Sequence, residues 1–236
     1  MTTLLMRFAA PMQSWGTQSH FTYRDTGRDP SKSGVIGLIA AALGRPRTAS
    51  LIDLDALVMG VRVNAEGAVR RDYQTVGGTH RQHDGAYGVA QVDGKVGTAQ
   101  TYRSYLVDAD FLVGLEATND EQSALLHTIA HALHAPQWPL FLGRKSYVPS
   151  KPIALPLVPP LGPGLREQTV RAALLAFPWP RAATHLRCIY ESLHGEQRLD
   201  RPVSFAVQDR QYLPRFVQVR QEARPVDFVA LEEVDL

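Results

Sequence analysis

Hydrophobic positions divide the first 150 residues into strand and helix patterns. Leu4 to Ala9 form a short apolar run typical of a buried strand, and the apolar positions of 32–44 recur every three or four residues, as on one helix face. Residues 102–117 alternate between apolar and more polar side chains, which indicates a long half-buried strand. The remaining predicted elements are helices at 51–58 and 121–134 and strands at 59–64 and 140–142. Because the order is β-α-β followed by β-α-β, the pattern predicts an α+β fold with a ferredoxin-like (RRM-like) domain.

A long polar insertion interrupts this pattern between about 73 and 103. Its middle, THRQHDGAYGVAQVDGKVG, is rich in glycine and has no apolar periodicity. Loops of more than about 12–15 residues without their own structure are usually functional or disordered. We predict a protruding hairpin, or thumb, that is ordered mainly by a partner.

A proline-rich connector at 151–164 marks the predicted domain boundary, because such segments form stiff spacers. The first domain is then 1–150, and residues 151–236 form a small β-rich C-terminal domain. The strands predicted in this second domain are 171–177, 185–190, 203–207 and 215–220.

Composition narrows the class of protein. The 236 residues carry a net charge of +2, 44% hydrophobic residues and one cysteine, Cys188, which excludes an internal disulfide framework and a cysteine-based zinc site. There is no apolar run of roughly 18 residues and no signal-peptide pattern at the N-terminus, so we expect a cytoplasmic protein with no membrane partner. Basic residues concentrate in several short stretches whereas the last fifteen residues are acidic, which favours a local nucleic-acid track over a mixed-charge solvated surface.

The loop before the first helix combines basic, polar and aromatic residues. Pro30 to Gly34 place hydroxyls, a lysine and a glycine at a helix start, where free N–H groups favour anions. No nucleotide-binding glycine motif is present. The alternative is that Ser31 or Ser33 is an ordinary N-cap. The predicted phosphate-binding residues of this loop are Arg24, Arg28, Lys32, Ser33 and Gly34.

Trp15 and Gln13, upstream in the same loop, are predicted to contact bases or sugars, although Trp15 is also suited to cover the hydrophobic core. Basic charge interleaved with aromatic rings is typical of proteins that bind single-stranded nucleic acid.

Two further stretches also combine cations with polar or aromatic side chains that suit RNA. One stretch follows a predicted strand and reads Gly143-Arg144-Lys145-Ser146. Its glycine lets a phosphate approach the backbone, and its two cations and its hydroxyl can bind that phosphate. The alternative is an exposed basic turn without a ligand. At the two ends of the insertion, the predicted contacts are Arg71, Tyr73, Gln74, Thr75 and Arg103, with Tyr73 stacking on a base and Gln74 reading a base edge. The alternative is a hairpin base held by an Arg71–Asp72 contact.

Several of these stretches resemble one family in the same order. PMQSWG, TGRDPSKSGVIGLIAAALG, RDYQTVGG, TYRSYLVDADFLVGL and PLFLGRKS resemble the CasD family over about residues 1–150. That family is the subunit of the type I-E CRISPR surveillance complex (Cascade) that holds the 5′ handle of the guide RNA (crRNA), and it belongs to the RAMP superfamily. The resemblance implies contacts with crRNA, with the adjacent Cascade backbone subunit and with the large PAM-recognising subunit, and indirectly with target DNA.

Catalytic and metal-binding patterns are weak. His127, His131 and His134 share a helix face, but the H-E-x-x-H glutamate is missing and the apolar stripe of the helix points elsewhere, so we predict no metal site. Metal-free RNA cleavage needs a general base beside a cation, and no recognisable pair is formed by His20, Tyr23, His80 or Lys145. We therefore predict a non-catalytic subunit without a cofactor. The alternatives are a metal-independent, repeat-specific endoribonuclease and a generic single-stranded RNA-binding module.

Overall fold

The computed structural model describes residues 1–16, 22–77, 81–82, 85–86, 89–90, 96–156 and 164–231. The helices in this part of the chain are α1 Lys32–Ala42, α2 Ile52–Asp55, α3 Asp120–His134 and α4 Val170–Ala176. The strands are β1 Thr2–Gln13, β2 Tyr23–Arg24, β3 Val58–Ala65, β4 Ala68–Val76, β5 Arg81–Gln82, β6 Gly85–Ala86, β7 Val89–Ala90, β8 Val96–Gly97, β9 Ala99–Ala117, β10 Leu165–Arg166, β11 Trp179–Pro180, β12 His185–Ser192, β13 Glu196–Ser204, β14 Gln211–Ala223 and β15 Ala230–Leu231.

One large sheet organises the fold, with the strand order β10-β1-β9-β3-β12-β14-β13. Its neighbours are antiparallel, and the short β2 runs parallel to β9. The 19-residue β9 serves two regions. Its half from Asp110 onward lies between β1 and β3, whereas residues 99–107 pair with β4 and, at 102–103, with β2. The predicted mixture of helices with a mainly antiparallel sheet is therefore confirmed.

Side chains of β1 alternate between two hydrophobic clusters because successive residues of a strand point to opposite faces. Leu4, Met6 and Phe8 belong to the larger cluster, which includes the buried sides of α1 and α3. Leu5 belongs to the second cluster, with α4 and β12. The sheet thus carries helices on both faces.

The C-terminal strands continue the sheet of the first 150 residues. Cys188, Ile189 and Tyr190 of β12 pair with residues of β3, including Gly60 opposite Tyr190. A Cβ on Gly60 would lie 2.8 Å from Val170 Cγ2, so a glycine is needed where α4 packs against the sheet. The boundary at 151–164 stays a prediction, although strands from both sides of it share this sheet.

Arg62 fixes α4 to the sheet from inside the protein. Its guanidinium donates to the carbonyl oxygens of Leu174 at 2.6 Å, Phe177 at 2.8 Å and Pro178 at 2.6 Å. These carbonyls end the helix and the segment after it, so the arginine satisfies groups that the helix cannot. Because the side chain is fully buried, desolvation lowers the pKa of Arg62 to about 10.

Two strand predictions are wrong. Residues 140–142 lie outside any strand, and the segment paired with β1 on its outer side is β10. Residues 171–177 were expected to be a strand, whereas 170–176 form α4, whose N-cap Thr169 accepts a hydrogen bond from Ala172 N–H. A short apolar run is compatible with a strand or with a helix, and here the helix is favoured because Thr169 caps its N-terminus. The strands predicted at 185–190 and 215–220 lie within β12 and β14.

The thumb stays a prediction. The insertion is entered by β4 and left by β9, which pair regularly from Ala68↔Val107 to Val76↔Ala99. Between them the structure describes two short antiparallel pairs, β5 with β6 and β7 with β8. Residues 78–80, 83–84, 87–88 and 91–95 lie outside the described residues.

Candidate nucleic-acid interface

A three-stranded ribbon extends from the core sheet. We define the ribbon as β2, β4 and residues 99–107 of β9. Tyr23 and Tyr73 both pair with Tyr102, from opposite sides, and Arg24 and Asp72 both pair with Arg103. Because residues directly opposite each other share a face and neighbours alternate, the ribbon has one tyrosine face and one charged face.

The tyrosine face carries a column of three rings. Tyr23 stacks on Tyr102 with ring centroids 5.1 Å apart and an interplanar angle of 11°, and Tyr73 contacts the same Tyr102 at 5.3 Å with a 45° tilt. The Arg71 guanidinium lies 5.4 Å from the Tyr102 ring centre, within cation–π range. Tyr23 is 62% exposed and Tyr73 51% exposed, and Thr75 is also exposed on this strand. Exposed aromatic rings beside a cation suit single-stranded nucleic acid.

The opposite face of the ribbon is polar. Gln74 Nε2 donates to an Asp72 carboxylate oxygen, so part of its hydrogen-bonding capacity is used within the strand. Arg103 Nε donates to Thr101 Oγ1 at 3.1 Å, its terminal nitrogens donate to no residue of the described part of the chain, and Arg24 is exposed beside it. This face offers cations that suit phosphate.

The turn at 142–147 docks against the base of the ribbon. Gly143 has φ +96°, and a Cβ there would lie 1.8 Å from the Ser14 carbonyl oxygen, so this position requires glycine. Arg144 Nη2 donates to the Ser104 carbonyl oxygen at 2.9 Å, and its Nη1 donates to the Tyr147 hydroxyl at 2.8 Å. Arg144 is therefore half-buried and attaches the turn to β9, whereas Lys145 and Ser146 are exposed.

Gln13 and Trp15 are not interface residues, and this correction follows from their burial. Gln13 Nε2 donates to the carbonyl oxygens of Phe8 at 3.0 Å and Ala109 at 2.7 Å. Trp15 stacks on Phe8 at 5.5 Å and its Nε1 donates to Gln13 Oε1 at 3.3 Å. Both residues lie inside the protein, so the prediction that they contact bases or sugars is wrong. Trp15 also packs within 2.9 Å of the position of a Cβ on Gly34, which makes that glycine a packing residue.

Lys32 is likewise buried, being 1% exposed. Its Nζ donates to the two Glu191 carboxylate oxygens at 2.9 Å and 3.0 Å and lies 3.8 Å from Asp55 Oδ1. Its backbone N–H, at the start of α1, donates to Asp200 Oδ2 at 2.8 Å, and Arg215 holds that carboxylate from the other side. Lys32 was predicted to bind a phosphate, and that prediction is wrong: its side chain and its backbone N–H both bind carboxylates of the chain itself.

The serines of the same turn have ordinary capping roles. Ser31 is the N-cap of α1, and its hydroxyl accepts from Gly34 N–H at 3.3 Å. Ser33 Oγ donates to Ser31 Oγ at 3.4 Å and is half-buried, so neither hydroxyl forms an open phosphate site.

Arg28 keeps an exposed side chain on an anchored backbone. Its carbonyl oxygen accepts from Arg187 Nη2 at 3.2 Å. The neighbouring Asp29 is buried and accepts hydrogen bonds from Arg187 and Arg198. The hydrogen bond to Glu66, and after it the contact with Asp29, raise the pKa of Arg187 above its ordinary value. Arg28 is therefore held at a defined place on the surface.

The three histidines that share a helix face lie on α3, outside the ribbon. His127, His131 and His134 are exposed along α3. Among the described residues, no group of three or more histidine, cysteine, aspartate or glutamate side chains is placed to hold a metal ion. His20, His80 and His83 lie outside the described residues. In the described helices, no segment is both long and apolar enough to cross a membrane.

Comparison with known proteins identifies the chain. It is one of the CRISPR-associated proteins. Within that class it belongs to the family described as "CRISPR-associated protein (Cas_Cas5)", whose model matches residues 3–218. It is 34% identical to "CRISPR system Cascade subunit CasD" of Escherichia coli (strain K12) over 165 residues, covering 64% of this chain and 69% of the relative. The resemblance to the CasD family is thereby confirmed.

Solved structures agree over nearly the whole chain. One described as "CRISPR RNA-guided surveillance complex" has a TM-score of 0.79 and 34% identity, covering 99% of this chain and 95% of the other. Another, described as "Crystal structure of Cas protein", has a TM-score of 0.70 and 38% identity, covering 94% and 95%. Relatedness therefore extends through the C-terminal strands, beyond the stretches that carried the resemblance.

Tyr23 and Tyr102 belong to the ring column of the ribbon, but sequence reasoning did not select them as contacts. Tyr102 lies next to the predicted contact Arg103, and Tyr23 was considered only as a member of a catalytic pair. Their alignment depends on the pairing of β2 with β9, which joins positions 79 residues apart, Tyr23 and Tyr102, and which no local pattern reveals.

Proposed function

We propose that this chain is a non-catalytic RNA-binding subunit of a Cascade surveillance complex and that it holds the 5′ handle of the crRNA. Membership of the Cas_Cas5 family and near-complete similarity to a chain of an RNA-guided surveillance complex support the assignment. The observation that carries the RNA-binding role is the ribbon, where exposed tyrosines and arginines lie on regular strands beside a basic turn.

The fold detail fits this role. If β10 is counted as the fourth strand, the order β10-β1-β9-β3 is the 4-1-3-2 order of a ferredoxin-like domain, with α1 and α3 packed in one cluster on the same face. In this proposal the insertion at about 73–103 is the thumb, and residues 151–236 form the small C-terminal domain.

The corrected interface keeps those members of the predicted set that are exposed or half-exposed and lie outside the first turn of α1. Phosphates are bound from the polar face of the ribbon and the neighbouring loops, and the tyrosine face meets bases or sugars. The residues assigned to RNA contact are Arg24, Arg28, Arg71, Tyr73, Gln74, Thr75, Arg103, Arg144, Lys145 and Ser146.

Partners follow from the same proposal. The thumb contacts the backbone subunit next to the 5′ end, another face meets the large PAM-recognising subunit, and target DNA is engaged only through the complex. The location is the cytoplasm, where the ribonucleoprotein forms.

The test is a matched pair of double variants. Arg103→Glu with Lys145→Glu reverses two cations of the interface, whereas Arg181→Glu with Arg210→Glu makes the same charge change at exposed positions outside the ribbon and the 142–147 turn. Wild-type and control proteins are expected to copurify with one guide-length RNA and other subunits, and the interface variant is expected to lose that RNA. Charge-assisted contacts to phosphate weaken uniformly with salt, so the assay is run at one fixed ionic strength.

Handle RNA incubated with the purified chain separates the alternatives. An intact RNA that is bound in preference to a scrambled one supports the proposal. Site-specific cleavage would support the endoribonuclease, and equal binding of the scrambled RNA would support the generic module. Retention of guide RNA by the interface variant would refute the assigned surface.

A further inference from the structure

We propose that the outer ring face of Tyr23 is a stacking site for one unpaired nucleobase. The inference rests on the proposed RNA-binding function and assigns a particular contact within it. The observation behind it is the ring column Tyr23–Tyr102–Tyr73, in which the two ends differ.

The central ring is already enclosed. Tyr102 has Tyr23 stacked on it at 5.1 Å, while Tyr73 at 5.3 Å and the Arg71 guanidinium at 5.4 Å also lie against it. Tyr102 is therefore a positioning residue that holds Tyr23, and it has no free face for a ligand.

The two end rings offer different surfaces. Tyr73 is tilted by 45° to Tyr102, so this end of the column does not continue as parallel planes. The Tyr23 ring is within 11° of parallel to the Tyr102 ring and is 62% exposed. Its outer face is therefore nearly parallel to Tyr102 and faces solvent. A flat ring placed there extends the stack, and stacking is the arrangement that aromatic pairs favour.

The position of β2 makes that face accessible. In the described part of the chain β2 pairs only with β9, so Tyr23 stands at an open edge of the ribbon. The adjacent Arg24 is exposed and supplies a cation near the same edge. Arg24 lies on the charged face of the ribbon, so a nucleotide with its base on Tyr23 meets this cation where its backbone passes around the edge strand.

The ligand class follows from what the site presents. A ring face without a fixed hydrogen-bonding edge recognises the π-face of any base, so it tolerates all four bases. Base pairs in a duplex keep their faces stacked inside the helix, so the site selects an unpaired, splayed-out nucleotide of single-stranded RNA.

The experiment tests whether the Tyr23 ring and one particular base of the RNA contribute to the same contact. The probe is the 5′-handle RNA with a single abasic position moved along it, and affinity is measured by fluorescence polarisation with wild-type chain, Tyr23→Phe, Tyr23→Leu and Tyr23→Ala. Tyr212→Ala, on β14, is the matched tyrosine control. Tyr23→Leu keeps apolar bulk without a flat ring, so it reports stacking even if the alanine variant is unstable.

We expect Tyr23→Leu and Tyr23→Ala to lose about 5- to 100-fold in affinity and Tyr23→Phe to stay within about twofold. One abasic position should cause a similar loss with wild-type chain and no further loss with Tyr23→Leu, because coupled partners are not additive.

Fully additive losses at every position, or unchanged affinity of Tyr23→Leu, would overturn the stacking site while the RNA-binding function stands. If wild-type chain binds no handle RNA at all, the proposed function and the stacking site are both overturned.

Discussion

Replacing Lys32 by methionine tests whether this lysine serves the fold or the RNA. In the structure its Nζ neutralises Glu191 and lies near Asp55, with hardly any exposure to solvent. Methionine preserves the apolar stem but leaves Glu191 without its buried cation, whereas Asp55 keeps its ion pair with Arg201. Removing one partner of a buried ion pair costs about 3–5 kcal/mol, because the remaining charge loses its compensation.

This cost corresponds to a fall of about 6–20 °C in the melting temperature, at about 2–4 °C per kcal/mol for a chain of this size. Urea unfolding of the purified chain measures the free energy directly, and the fluorescence of the buried Trp15 and Trp179 reports loss of the core. Lys145→Met is the matched control: its side chain is exposed, so the free energy of unfolding should change by less than about 0.5 kcal/mol while RNA affinity falls.

A second variant separates lost charge pairing from lost packing. Adding Glu191→Gln to Lys32→Met removes the stranded charge, and the amide oxygen can still accept from Met59 N–H as the carboxylate does. The double variant should recover about half of the lost stability. An unchanged unfolding midpoint for Lys32→Met, together with loss of RNA from the folded protein, would refute this account and restore Lys32 as a phosphate ligand.

Three other predictions concern single positions. Arg62→Lys should lower the free energy of unfolding by about 3 kcal/mol or more, since an ammonium cannot reach the three carbonyls that the guanidinium spans; a change under about 1 kcal/mol in urea titrations would contradict the clamp. Burial raises the pKa of the Cys188 thiol to about 11, so a thiol reagent at pH 8 should label no cysteine in the folded protein and one per chain in denaturant. Rapid labelling of the folded protein would contradict the burial of this thiol. Gly143→Ala should displace the 142–147 turn from Ser14 and weaken RNA binding at least tenfold, whereas Ser146→Ala should have a smaller effect; equal affinities would show that the turn does not contribute.

Periodicity alone located the main elements because each is long enough to repeat its pattern. The stripe of α1, the capped α3 and the alternating β9 were all predicted, with boundaries that shifted by a few residues. The segment at 171–177 was predicted wrongly because seven residues do not distinguish a strand period from a helix period. The strand expected at 140–142 was also predicted wrongly, because three residues are too few to show a period.

The candidate site was harder to predict because its chemistry depends on distant partners. Lys32 has a basic side chain in a helix-start motif, but Glu191 and Asp200 lie 159 and 168 positions away along the chain. Trp15 was predicted to contact bases or sugars, with a cover over the hydrophobic core as the alternative, and the structure shows the alternative. Conversely, composition at the ends of the insertion was enough to propose Tyr73 and Arg71 as contacts, whereas the ring column depends on the strand register.

The continuity of β9 sets a limit on engineering this protein. A single strand both fills the centre of the sheet and carries Tyr102 and Arg103 outward, so the ribbon that we propose to bind RNA is not a detachable module. Swapping it for that of a relative would also exchange residues that pack the interior. Altered guide preference is therefore better sought by point changes at outward-facing positions of β2 and β4 than by domain grafting.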